Sequence, residues 1–293
     1  MGLLEETKRI LYAYKIYPKR KLSQNFLVDD EALDKMIKYA SINEDDYVLE
    51  IGAGLGFLTE RMAEIAKQVI AIEIDPRLIR VLTNRLRKYK NVSILRGDVL
   101  KVDVPKFNKV VSVPPYSISS PLLFWLLRRK FECAVLAFQE EFARRLAASA
   151  GEKDYGRLTV SVYCHAEVDL LDAIPKESFW PIPEVNSMIV RLKPRRMPFH
   201  VENEEEFFDF IREIFTQKNK KLRNAVSPFL SKVGIPKEEI IKVADSVPFN
   251  YRRARDLMPE ELGLAFNELI KKLQDMRKNP LRWKNLDSGS VGH

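Results

Sequence analysis

Short runs of aliphatic and β-branched residues recur along the first two thirds of the chain, and longer stretches with apolar positions at helical spacing fall between them. Tyr47-Val48-Leu49-Glu50-Ile51 precedes a helical pattern that starts at Leu58, and Val69-Ile70-Ala71-Ile72-Glu73-Ile74 precedes one that starts at Pro76. Strand-like runs continue at 92–95, 109–113, 133–138 and 158–163. Strand and helix in alternation predict an α/β fold: an open, mostly parallel sheet covered by helices on both faces. In such sheets ligands bind beyond the C-terminal ends of the strands. Met188-Ile189-Val190-Arg191-Leu192 reads as a last strand and 193–198 as a linker. After it, 204–215, 221–230, 236–244 and 259–276 have helical spacing and no strand-like run. The expected organisation is a sheet domain over 1–195, a smaller all-helical domain over 196–283, and a Gly- and Ser-rich end over 284–293 that is either a flexible tail or a cloning remnant.

Composition narrows the function. A hydrophobic content of 46% supports a sizeable core, and 31% charged residues give a solvated surface. The formal net charge of +8 points to a polyanionic partner, or to a charge-dense, heat-adapted surface. Cys133 and Cys164 both lie in apolar, strand-like runs that suggest burial, and the three histidines are scattered. Neither a metal site nor a Ser-His or Cys-His arrangement is expected. No apolar run approaches the roughly 20 residues that cross a bilayer, and the first 20 residues carry charges throughout. The expectation is a cytoplasmic chain with no membrane contact.

Candidate chemistry sits at the predicted strand ends. Gly52-Ala53-Gly54-Leu55-Gly56 follows the first strand and opens a helix, so its backbone can approach a ligand closely. A dinucleotide fingerprint needs glycine at the sixth position, where this chain has Phe57. A nucleoside cofactor without phosphates fits better. Glu73 ends the next strand, where a carboxylate can accept both hydroxyl hydrogens of a ribose; a solvated acid is the plainer reading. Asp98 follows the third strand and can accept from an adenine amino group or cap the next turn. Val113-Pro114-Pro115-Tyr116 closes the fourth, with fixed backbone and a flat ring suited to a nucleobase, or as a rigid turn.

Four such features at successive strand ends resemble the S-adenosylmethionine-dependent methyltransferase fold. The resemblance becomes closer at Lys21-Leu22-Ser23-Gln24-Asn25-Phe26-Leu27, at Ser178-Phe179-Trp180-Pro181-Ile182-Pro183-Glu184-Val185-Asn186-Ser187 and at Lys218-Asn219-Lys220-Lys221-Leu222-Arg223-Asn224. These are similar to elements of the rRNA adenine dimethyltransferase family. The resemblance implies a Rossmann-like sheet and S-adenosylmethionine as cofactor. It implies Asn25, Leu27, Gly52 and Gly54 around the methionine end and glycine loop, Glu73 on the ribose and Asp98 on the cofactor adenine. It places Val113 and Pro114 beside the reacting amine and has Tyr116 and Phe179 hold the target adenine. The implied activity is dimethylation of adjacent adenines near the end of small-subunit rRNA within a pre-ribosomal small subunit, by a monomer. A large-subunit rRNA methyltransferase and an assembly factor with a weakened site are the alternatives.

Two positions depart from that family. Val113 stands where most relatives have Asn, Asp or Ser, and Ala53 where many have Pro. Ser112 is the nearest hydroxyl to the first departure, but strand alternation points it away. Three basic groups, Lys15 to Lys21, Lys218 to Arg223, and Arg252, Arg253 and Arg255, are candidate RNA phosphate contacts.

Overall fold

The computed structural model describes residues 2–19 and 22–278. Arg20, Lys21 and the 284–293 tail therefore lie outside the described residues. The chain divides into two compact units, one made of Met1–Ala147 with His165–Arg195, the other of Ala148–Cys164 with Arg196–His293.

The first unit holds a seven-stranded sheet. In chain order its strands are β2 (Tyr47–Ile51), β3 (Gln68–Glu73), β4 (Val92–Arg96), β5 (Lys109–Ser112), β6 (Cys133–Gln139), β7 (Ala166–Ile174) and β9 (Ser187–Pro194). The order across the sheet is β4-β3-β2-β5-β6-β9-β7. The first five run parallel, and β9 is antiparallel to both β6 and β7. Chain order reverses between β2 and β5, so the crevice at their C-terminal ends is the switch point where such sheets take ligands. A second, two-stranded sheet joins β1 (Phe26–Leu27) to β8 (Phe179–Trp180), pairing Leu27 with Phe179.

The helices of this unit start where the sequence supplies caps. The Asp29 side chain accepts from Ala32 N–H at 3.1 Å at the start of α2 (Asp30–Ala40), following α1 (Leu3–Ala13). The glycine loop opens α3 (Phe57–Ala63). Asp75 caps α4 (Pro76–Arg85), whose first residue is a proline that has no N–H to leave unpaired. Next come α5 (Ser119–Leu127) and α6 (Glu140–Leu146). β3 is buried from Val69 to Glu73, as a central parallel strand must be.

One strand-like run is misread by its composition. Residues 158–163 lie in a helix, α7 (Arg157–His165), and not in a strand. Its β-branched residues suggest extended backbone, but Leu158, Thr159, Val160, Ser161, Val162 and Cys164 are all buried there, and packing outweighs intrinsic propensity. Residues 148–164 also belong with the second unit, although the sequence placed them inside 1–195. They are tied there by Tyr155 Oη, which donates to the Leu257 carbonyl at 2.7 Å, and by Tyr155, Val160 and Cys164 in the helical core. Cys133 and Cys164 are both buried.

The second unit continues with α8 (Glu204–Phe215), α9 (Leu222–Ala225), α10 (Ser227–Lys232), α11 (Lys237–Asp245) and α12 (Pro259–Lys278). The single helix expected over 221–230 is two short ones, and Pro228 in the first turn of α10 marks the break. Phe207, Phe210, Phe229 and Phe266 form the centre of this core with ring centroids 5.5–5.6 Å apart. No helix among the described residues is long and apolar enough to cross a membrane.

Candidate active site

The C-terminal ends of β2, β3, β4 and β5 open onto a groove of three adjoining recesses, all within the first unit. One is lined by Asn25, Gly52, Gly54, Glu73, Val113, Pro114 and Tyr116, a second by Leu27 and Glu50, and a third by Asp98 beside Glu73 and Pro115. Nine of the ten residues singled out from sequence therefore meet in one place. Phe179 lines none of these recesses. It is 1% exposed in the core under Tyr116, with the two rings edge to face at 6.5 Å.

Backbone geometry explains the glycines. Gly52 has φ +75°, and a Cβ there would lie 3.0 Å from Pro115 Cδ; Gly54 has φ +60°, and a Cβ would meet Phe26 Cδ1 at 3.3 Å. A side chain at either would be strained and would fill the cradle. The loop's N–H groups are already directed at the protein: Gly52 and Ala53 both donate to the Ile72 carbonyl, at 2.8 and 3.1 Å. They are not offered to a phosphate, which agrees with a phosphate-free nucleoside. A proline at position 53 could not donate the Ala53 bond.

Glu73 is no solvated acid. It is 5% exposed, with Oε2 accepting from Gly54 N–H at 2.9 Å and Oε1 from Ile74 and Asp75 N–H at 2.8 and 2.9 Å. Burial raises its pKa, and the three backbone donors oppose that rise. Oε1 is filled by its two backbone donors, and Oε2 retains acceptor capacity for one further donor. Asp98 does cap the next turn, accepting from Leu100 N–H at 3.0 Å through Oδ1, while its carboxylate also borders the groove.

The acceptor side is built differently. Tyr116 Oη lies 2.6 Å from Oγ of the fully buried Ser187, and burial raises the phenol pKa. Ser112 cannot stand in for the missing polar residue at 113. Its hydroxyl donates to the Ile51 carbonyl at 2.6 Å and accepts from Ile51 N–H at 3.2 Å, inside the sheet. The Pro114 carbonyl accepts no hydrogen bond from any described residue.

Four further residues, Glu50, Gln24, Asp75 and Arg77, border or brace the groove without having been assigned a role from sequence. Glu50 is buried beside the glycine loop, accepts from Thr59 Oγ1 at 2.5 Å, and has its pKa pushed up to about 8 by burial. Its signal was an acid inside the apolar run of β2. Gln24 is held by Asp75, whose Oδ2 accepts from Gln24 Nε2 at 2.9 Å, and the Arg77 guanidinium holds the Asp75 carboxyl well below the usual range. That chain anchors the Gln24-Asn25 wall of the groove. Its extension, Phe26-Leu27, is anchored in turn by β8.

The basic groups divide in the structure. Lys218 donates to the Lys153 and Tyr155 carbonyls, Arg223 pairs with Asp245, Arg252 with Glu261, and Arg255 with Asp256. Lys220, Lys221 and Arg253 have no carboxylate partner among the described residues, and no cluster of metal-ligating side chains occurs there.

A doubly wound sheet with a glycine loop, a buried acid and a proline-aromatic edge at successive strand ends is the architecture of an S-adenosylmethionine-dependent methyltransferase. The chain belongs to the family described as ribosomal RNA adenine dimethylase, whose model matches residues 17–262. It is 46% identical over 249 residues to a probable ribosomal RNA small subunit methyltransferase A of Methanosarcina acetivorans, covering 84% of this chain and 92% of that one. To a protein of the same name from Thermococcus kodakarensis it is 40% identical over 266 residues, covering 90% and 94%. Among solved structures it resembles a dimethyladenosine transferase from Plasmodium falciparum, at 32% identity and a TM-score of 0.71 over 86% of this chain and 97% of that one. The 23S rRNA methyltransferase ErmE is similar at 27% identity and a TM-score of 0.63, over 84% and 99%.

Proposed function

We propose that this chain dimethylates the exocyclic amines of two adjacent adenines near the end of small-subunit rRNA, acting as a cytoplasmic monomer on a pre-ribosomal small subunit. The observation that carries this reading is the meeting of the glycine loop, Glu73, Asp98 and Val113-Pro114-Pro115-Tyr116 in one groove. The small-subunit target is favoured over the large subunit by the names and the 40–46% identities of the two archaeal relatives above.

S-adenosylmethionine, when bound, supplies a methyl group on a sulfonium, whose neutral thioether leaves without needing an acid. Glu73 accepts a ribose hydroxyl through Oε2 and Asp98 accepts from the adenine amino group of the cofactor, while Asn25, Leu27, Gly52 and Gly54 enclose its methionine end. Tyr116 stacks on the target adenine, which must leave its helix or loop to be reached. Phe179 serves as the buried brace that fixes the Tyr116 ring.

An adenine amine is a poor nucleophile because its lone pair is delocalised into the ring. Pro114 answers this by accepting an amine hydrogen through its carbonyl, which favours the pyramidal nitrogen and aligns it with the methyl group. Val113 contributes packing and no acceptor. No general base is needed, since the proton becomes acidic once the nitrogen is methylated and passes to water.

The test is to incubate unmethylated small subunits with the protein and labelled cofactor and to map the methylated adenines. Two adjacent dimethylated adenines are expected near the end of the small-subunit RNA. Label found only in large-subunit RNA would overturn the target. Tight binding of cofactor and subunits without any transfer would favour the second reading, an assembly factor, which the valine at 113 motivates.

A further inference from the structure

The segment that leads into the groove carries side chains that the methyl-transfer reading leaves unused. α1 buries Leu3, Thr7 and Leu11 on its inner face. It is tied to the sheet unit by Arg85 with Glu6 at 2.6 Å and by Asn84 Nδ2, which donates to Tyr14 Oη at 2.9 Å. The loop beyond is held by Arg77 Nη1, which donates to the Tyr17 carbonyl at 3.2 Å. Lys19 N–H then donates to Gln24 Oε1 at 2.7 Å, next to the groove wall. The backbone of this segment is thus anchored at several points.

α1 ends in a Schellman motif. Ile16 N–H donates to the Leu11 carbonyl at 2.8 Å and Lys15 N–H to the Tyr12 carbonyl at 3.0 Å, with Leu11 and Ile16 both buried. The motif requires a left-handed residue, usually glycine, and here Lys15 takes it at φ 53°. A lysine at this place works against local stability, so a role for its charge is indicated.

From this fixed backbone Tyr12 and Tyr17 stand 88% and 80% exposed, more than any other large hydrophobic side chain among the described residues. Arg9 lies one helical turn before Tyr12 on the same face. Arg9, Lys15 and Lys19 are exposed and pair with no carboxylate among the described residues. A single exposed tyrosine is ordinary. Two of them on one anchored segment, interleaved with three unpaired cations, match the chemistry that holds unpaired RNA: bases stack on ring faces and phosphates meet the cations. Base-paired RNA would offer the cations phosphates but the rings nothing. Arg9, Tyr12 and Lys15 also precede residue 17, where the family match begins.

We propose that Tyr12 and Tyr17, with Arg9, Lys15 and Lys19, form a stacking platform for unpaired nucleotides of the RNA that carries the target adenine. The proposal rests on the rRNA reading above.

The test measures binding of an unpaired segment of small-subunit RNA and of a fully paired RNA of equal length, by the wild-type chain, by a Tyr12→Ala/Tyr17→Ala double variant and by Lys15→Gly. Each ring is expected to contribute at least about 5-fold, so the double variant should bind the unpaired RNA at least about 25-fold more weakly. Its affinity for paired RNA should change by less than about 3-fold, and its KM for RNA should rise while cofactor affinity holds. Lys15→Gly should raise Tm yet weaken RNA binding, and lower the slope of log affinity against log salt by about 0.7. Wild-type methylation of rRNA with undiminished RNA binding by the double variant would refute the platform and leave the rRNA reading standing. Failure of the wild type to bind either RNA, or subunits, would overturn that reading and the platform with it. Weaker binding to assembled subunits but not to the isolated unpaired RNA would assign the surface to a ribosomal protein and also refute the proposal.

Discussion

The two sides of the groove achieve their polarity by different means. On one side stand two carboxylates, the buried Glu73 and the partly exposed Asp98, each fixed by backbone donors: Glu73 by Gly54, Ile74 and Asp75, and Asp98 by Leu100. On the acceptor side the first residue of the tetrapeptide is an apolar valine, the nearest hydroxyl is consumed within the sheet by Ile51, and what remains is a carbonyl and a ring. On the proposed reading, recognition of the cofactor is written in side chains, whereas activation of the amine rests on the backbone. A side chain can be lost by one substitution; a proline-fixed carbonyl is set by the fold around it.

The sharpest way to separate the two sides is Tyr116→Ala. It should lower kcat/KM by about 100- to 1000-fold, an effect of the size seen when a key group at the reacting centre is removed. Cofactor affinity, read by calorimetry, should change little. Tyr116→Phe keeps the ring but leaves the buried Ser187 hydroxyl unpaired, so its cost in stability should be about 1–3 kcal/mol, with a far smaller loss of kcat/KM than Tyr116→Ala.

Gly52→Ala attacks the point where the sides touch. Its Cβ would press on Pro115 in a backbone conformation that alanine disfavours, and cofactor affinity should fall by about 100-fold, equivalent to about 2.7 kcal/mol. If affinity held while methyl transfer fell, the glycine would belong to the acceptor side instead.

Glu50→Gln tests the cofactor side through stability. The folded pKa of Glu50, about 8, lies above the unfolded value, so folding disfavours its ionised form. Wild-type stability should decline as pH rises from roughly 4.5 to 8 on account of this group, with no further loss above. Glutamine removes that loss, and the variant should be more stable than wild type by up to about 5 kcal/mol at pH 8.5 and nearly equal to it at pH 4. A difference independent of pH, measured by denaturant titration, would show that Glu50 is ionised in the fold at no cost.

Sequence alone exposed the cofactor side more fully than the acceptor side. β2, β3 and β4 are short apolar runs, and the glycines and acids follow each strand directly, so local order in the chain reproduces order in space. The acceptor side depends on partners far away in sequence: Tyr116 on Ser187 through a hydrogen bond and on Phe179 through an edge-to-face ring contact. No local pattern reports such pairs. Phe179 lies in the core, the plain reading for such a residue taken alone, because an aromatic in a proline-rich element reads alike whether it faces a ligand or the core. Residues 158–163 show the complementary failure, for β-branched composition favoured a strand where burial of nearly every side chain holds a helix. Glu50 was hidden because an acid within a strand is usually read as a solvent-facing position, and here it is fully enclosed.

The claim that amine activation rests on the Pro114 carbonyl is tested most directly by single-turnover methyl transfer to small-subunit RNA, with saturating cofactor, for the wild-type chain and Val113→Asn. The account predicts measurable transfer by the wild type and a rate about 10-fold or more higher for Val113→Asn, whose side-chain amide oxygen adds a second acceptor. No transfer by the wild type, with transfer restored by Val113→Asn, would contradict it, since the backbone carbonyl would then be insufficient.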